Sequence, residues 1–141
     1  PIASSAASDV YKRQVYDYLA EITMSIMARA RAKSPSAGYA TDFIDAVIKP
    51  YIKRISTNNT RLISNAGGVN PEKCAEVISE LVKDLQLNLN VSCITGDDLM
   101  GSAQEIKNMN CKEMFSDIKF PELDKVASMN AYLGAFAISK A

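Results

Sequence analysis

The sequence predicts an α/β fold of alternating βα units around a mostly parallel sheet, either an open three-layer arrangement or part of a barrel. Three observations carry that expectation. Short apolar runs and 3.6-residue apolar patterns alternate about four times, with segments long enough for the crossovers that parallel strands require. One of these units, residues 61–85, shows both halves clearly. Hydrophobic residues make up 48% and charged residues 23% of the 141 positions, which suits a packed core rather than a disordered chain.

The elements follow in order. Val15-Tyr-Asp-Tyr-Leu-Ala20 is short and aromatic-rich, as the end of a strand would be. From Glu21 the apolar positions change to Ile22, Ile26, Met27 and Ala30, a helical stripe closed by Arg29, Arg31 and Lys33. Ser34 to Tyr39 is a loop by composition. Thr41 is placed to cap the next helix, whose apolar face holds Phe43, Val47, Ile48, Tyr51, Ile52 and Ile55. Pro50 lies inside that face and is expected to kink or interrupt it.

Arg61 to Asn65 reads as a strand, followed by the turn Ala66-Gly-Gly-Val69. Asn70 then suits an N-cap and Pro71 the first helical position, where its missing N–H costs nothing. Cys74, Val77, Ile78, Leu81, Val82 and Leu85 recur at helical spacing. Val91 to Thr95 reads as a buried strand, Gly96-Asp97-Asp98 as the turn into a weaker helix, and Val126 to Met129 as a fourth strand. A helix begins at the chain end, so an incomplete domain is expected.

Composition excludes several chemistries. The chain has no histidine, so no Ser-His-Asp triad, Cys-His dyad or His-ligated zinc can be built from it alone. Sixteen basic and sixteen acidic residues cancel, and no net charge favours nucleic acid or an anionic membrane. No apolar run approaches a bilayer span, so neither membrane insertion nor secretion is expected. Cys74, Cys93 and Cys111 are too scattered for a CxxC site and read as buried free thiols in a reducing cytoplasm.

If the sheet is parallel, the ligand site lies at the carboxyl ends of its strands. Glu21, the Asn65 to Asn70 turn, Gly96-Asp97-Asp98, and Asn130 with Tyr132 then stand at those ends. Asn65, Gly67, Gly68 and Asn70 open a helix N-terminus, where free N–H groups favour an anion such as phosphate or carboxylate. The bland alternative is a tight βα turn in which glycine only supplies positive φ. Asp97 and Asp98 suit a hydrated cation or proton transfer, or else cap the following helix. Asn130 and Tyr132 would orient a carbonyl, unless Tyr132 merely packs. Cys93, inside an apolar run, reads as core rather than nucleophile.

Residues 1–14 stand apart. They show no apolar period, and Asp9-Val-Tyr-Lys-Arg-Gln14 resembles translated transposase mosaic-end adapter DNA from sequencing-library preparation. A non-native or disordered tail is expected there, with a domain over residues 15–141.

Five motifs together are similar to the N-terminal domain of the acyclic terpene utilisation family AtuA. They are Asp17-Tyr-Leu-Ala-Glu21, Gly38-Tyr39, Ser64-Asn-Ala-Gly-Gly-Val-Asn-Pro71, Thr95-Gly-Asp-Asp98 and Ser128-Met-Asn-Ala-Tyr-Leu-Gly134. The resemblance implies a cytoplasmic bacterial protein associated with breakdown of citronellol and geraniol, with its own reaction undefined. It also implies a fragment, since the family's Gly-rich opening strand and its larger C-terminal remainder are not in this sequence. Acids in such a pathway travel as CoA thioesters, so a small-molecule or acyl-CoA-type ligand is the expected partner. Cofactor and metal are left open. Two functions compete: Asp97, Asp98, Asn130 and Tyr132 as catalytic groups beside ligand-holding Glu21, Asn65, Gly67, Gly68, Asn70 and Gly96, or a non-catalytic scaffold or pathway subunit, homo-oligomeric or not. Convergence of these groups on one pocket would favour the first; scattered caps would favour the second.

Overall fold

A computed structural model describes residues 12–141 and resolves two compact units, one ending at Cys93 and one spanning Ile94–Ala141. Residues 1–11 of the expected tail lie outside the described residues.

In the first unit, β1 (Arg13–Tyr16) and β2 (Arg61–Ser64) pair in parallel, with Val15 opposite Ile63 and Tyr16 opposite Ser64. Arg13 and Gln14 pair with Arg61 and Leu62, so this strand starts ahead of the boundary expected at Val15. Between the strands run α1 (Glu21–Lys33) and a second helix over residues 41–57. After β2 comes α3 (Pro71–Asp84). The core is built where these helices meet: Met27, Ala28, Phe43, Ile48, Ile52, Ala66, Val69 and Val82 are buried, with Leu62, Ile78 and Leu81 packed against them.

The helix over 41–57 departs from expectation twice. Thr41 does not precede it as a cap; the helix starts there, and the Ala40 carbonyl accepts the Phe43 N–H. Pro50 does not break it either. Phe43–Ile48 is wound as a π-helix, with the Lys49 N–H reaching back to the Ile44 carbonyl, and the regular segment α2 (Lys49–Thr57) carries Pro50 in its first turn. The wide π turn relieves the clash between a proline ring and the preceding turn. It also sets Phe43 edge-on to Tyr16 and Tyr18, with ring centroids 5.8 and 5.5 Å away.

The second unit holds the 3₁₀ turns Met100–Ser102 and Leu123–Lys125, with α4 (Ala103–Asn108) and α5 (Phe136–Lys140). The strands expected at 91–95 and 126–129 are not formed, and the sheet of the described residues has two strands only. Leu89 and Val91 are anchored to the first unit's core, yet Ser92 and Cys93 are exposed. A strand needs a neighbour's N–H and C=O groups along its length. Among the described residues the segment at 91–95 makes no such backbone bond, so apolar composition alone does not make it a strand. Of the three thiols expected to be buried, Cys74 is buried while Cys93 and Cys111 are exposed.

Candidate functional site

The carboxyl ends of β1 and β2 bring Asp17 and Asn65 together. The Asn65 amide donates to Asp17 Oδ1 at 2.6 Å, while Asn65 Oδ1 accepts the Tyr18 N–H at 2.7 Å. One side chain thus joins both strand ends. Asp17 was not assigned a role from sequence, because it falls inside the run read as a strand end; the strand stops at Tyr16, and Asp17 follows it. Glu21 is exposed in the first turn of α1, where a carboxylate complements the helix dipole. Burial raises the Tyr16 and Tyr18 phenols above their ordinary range, with Tyr51 adding at Tyr16 and Asp42 at Tyr18.

The turn after Asn65 is closely packed. Gly68 has φ of +54°, and a Cβ there would stand 2.2 Å from Met27 Sδ and 2.6 Å from the Gly38 carbonyl oxygen. A Cβ at Gly67 would lie 2.8 Å from Pro71. The turn is laced to residues 38–40 by Val69 N–H to the Gly38 carbonyl, 2.9 Å, and Ala40 N–H to the Ala66 carbonyl, 2.8 Å. The Arg31 guanidinium donates to the Val69 carbonyl. Asn70 occupies the N-cap position of α3, but its side chain makes no capping bond. Its amide instead donates to the carbonyls of Pro35 and Ala37, at 3.0 and 2.8 Å.

Cys74 follows in the first turns of α3. Burial, with the nearby Cys93 thiol adding, pushes it up to about 11. Cys93 is raised by partial burial and by Glu72. Neither thiol is therefore activated toward a thiolate nucleophile.

In the second unit, Asp97, Asp98 and Asn130 meet. Asp98 and Asn130 form an antiparallel bridge, flanked by Leu99 N–H to the Met129 carbonyl and Ala131 N–H to the Asp97 carbonyl, both 2.8 Å. The residues that follow the two expected strands thus meet, antiparallel rather than parallel, in a single bridge. Asn130 Nδ2 donates to Asp97 Oδ2 at 3.0 Å, part-buried. Asp98 Oδ1 accepts the Met100 N–H at 2.9 Å, a local bond that opens the 3₁₀ turn. Gly96 has φ of +114°, which its turn demands of a residue without Cβ. Tyr132 is 97% exposed. Asp97 and Asp98 are therefore committed to different partners, and no group of three or more metal-ligating side chains occurs among the described residues.

The family model described as acyclic terpene utilisation family protein AtuA matches residues 2–141. This chain belongs to the AtuA family. No curated protein and no solved structure matches it. Among the described residues of this AtuA-family chain, no helix is long and apolar enough to cross a membrane.

Proposed function

We propose that this AtuA-family chain holds an acyl ligand of acyclic terpene breakdown, a branched acid or its CoA-type thioester. The observation that carries this reading is the family match over residues 2–141. Asn130 and Tyr132 orient the ligand carbonyl: the amide has a second N–H beyond the one given to Asp97, and the phenol is open to an incoming group. Asp97 or Asp98 holds or moves a proton. In the first unit Asn65, with Gly67, Gly68 and Asn70 shaping its turn, serves an anionic group, and the parallel pair belongs to a larger sheet, open or closed; in the second, Gly96 sets the turn that carries Asp97 and Asp98. The setting is the cytoplasm.

A second reading, a non-catalytic scaffold of the same pathway, has its own support. Gly68 abuts Met27 and Gly38, and Asn70 ties down Pro35 and Ala37, so these residues have complete structural employment.

Calorimetric titration of the full chain separates the two. The probes are a CoA thioester of a branched acyclic acid, the free acid and CoA alone. The ligand reading expects saturable binding of the thioester, weakened about tenfold by Asn130→Ala, the equivalent of one good hydrogen bond. No binding by any of the three leaves the scaffold.

A further inference from the structure

Helix α1 is two-faced. Met27 and Ala28 are buried on one side, and Met24 packs against the same core. The opposite side carries Ile22, Ser25, Ile26 and Arg29 at i, i+3, i+4 and i+7, flanked by Glu21, and these five residues line a shallow groove. Ile22 is 76% exposed and Ile26 61%. Isoleucines usually avoid that degree of exposure in adjacent turns of a helix.

The charges on this face name the occupant. Glu21 and Arg29 stand four residues to either side of Ser25. Within one helix they are about 12 Å apart along the axis, too far to pair with each other. In two such helices crossing antiparallel about a twofold axis at Ser25, each Glu21 comes level with the other copy's Arg29. The complementarity is satisfied twice by one operation, as an isologous contact requires. The small Ser25 side chain at the centre permits close approach, while Ile22 and Ile26 of both copies fill the space on either side. We infer that this face of α1 docks on the same face of a second copy of the chain.

One helix face is smaller than the roughly 1,200–2,000 Å² of a standard stable interface, so the dimer is weak and reversible. Screening by salt weakens it further, because its ionic pairs are at the rim.

Sedimentation equilibrium of the full chain from about 10 μM to about 1 mM, the range in which weak complexes form, tests this directly. The mass should rise toward the dimer with concentration. Ile26→Lys should weaken association at least tenfold. Glu21→Lys and Arg29→Glu should each weaken it several-fold, because each places like charges level at both ends. An equimolar mixture of those two variants should associate more tightly than either alone, since every pair becomes attractive again. Far-ultraviolet circular dichroism checks that the variants remain folded, and the mixing arm does not depend on Ile26→Lys folding. A constant monomer mass up to 1 mM, or a mixture no tighter than its components, overturns the inference. So does association that all three substitutions leave unchanged.

Discussion

Replacing Gly68 by alanine places two independent costs on one atom. The backbone there has φ of +54°, a left-handed conformation that costs a residue with Cβ about 1–2 kcal/mol. The new methyl would also stand 2.2 Å from Met27 Sδ and 2.6 Å from the Gly38 carbonyl oxygen. The thioether can swing aside, but Gly38 is held in place by its bond from the Val69 N–H. Overpacking of this kind costs about 1–3 kcal/mol, so Gly68→Ala should destabilise the first unit by about 2–5 kcal/mol. Two controls separate the contributions. Gly134 has φ of +70° with nothing within 4 Å of the place a Cβ would occupy, so alanine there meets the backbone cost alone. Gly101 has open space and no positive φ, so alanine should be neutral or stabilising by up to about 1 kcal/mol. Urea unfolding followed by circular dichroism and by tyrosine fluorescence reads all three. A Gly68→Ala change below about 0.5 kcal/mol would refute the packing account.

Asn70→Ala removes both bonds to the 35–37 loop and leaves two carbonyls without their donor, and should cost about 1–3 kcal/mol in the same assay. Ile52→Ala, at a position only 3% exposed, should cost about 2–5 kcal/mol by opening a core cavity, and a loss under about 1 kcal/mol would show that the helix over 41–57 is not packed as described. Cys74 gives a pH signature. Its thiol is raised in the fold to about 11, so the unfolded chain ionises first. Its contribution is complete below the ordinary thiol value of 9.0 and declines as pH rises toward the folded one, by at most about 3 kcal/mol. Cys74→Ala should flatten that alkaline decline, and an unchanged slope would locate its cause elsewhere.

Local signals were enough for some elements and not for others. The stripe from Cys74 to Leu85, behind Asn70 and Pro71, specifies α3 because helix periodicity and a proline at the first position agree. β2 is legible for the same reason: its apolar run is bounded by a turn with two glycines. The alternation that predicted four strands, by contrast, delivered two. Val91 to Thr95 and Val126 to Met129 have strand-like composition, but pairing is a property of two segments: among the described residues the first makes no ladder bond, and the second is met only at its end, where the Met129 carbonyl accepts the Leu99 N–H. The π-helix at Phe43–Ile48 is equally a tertiary outcome, in which burial of Phe43, Ile44 and Ile48 keeps a helix running up to a proline that should end it.

The candidate site divides in the same way. Residue type and position pointed to Asn65, Asp97, Asp98 and Asn130 from the sequence, since each follows an apolar run and precedes a helical pattern. Which groups they touch was decided in three dimensions. Asn65 reaches across to Asp17, 48 residues earlier, and Asn130 to Asp97, 33 residues earlier. Asn70 carries every mark of an N-cap, yet its amide donates to the Pro35 and Ala37 carbonyls, two bonds in place of the one a cap would make. Gly68 reads as a glycine that admits a ligand, and the space its missing Cβ leaves is filled by Met27 and Gly38. Periodicity and capping preferences act over a few neighbouring residues and are written in the chain. Hydrogen-bond partners and the filling of space depend on residues tens of positions away, and only the folded structure brings those together.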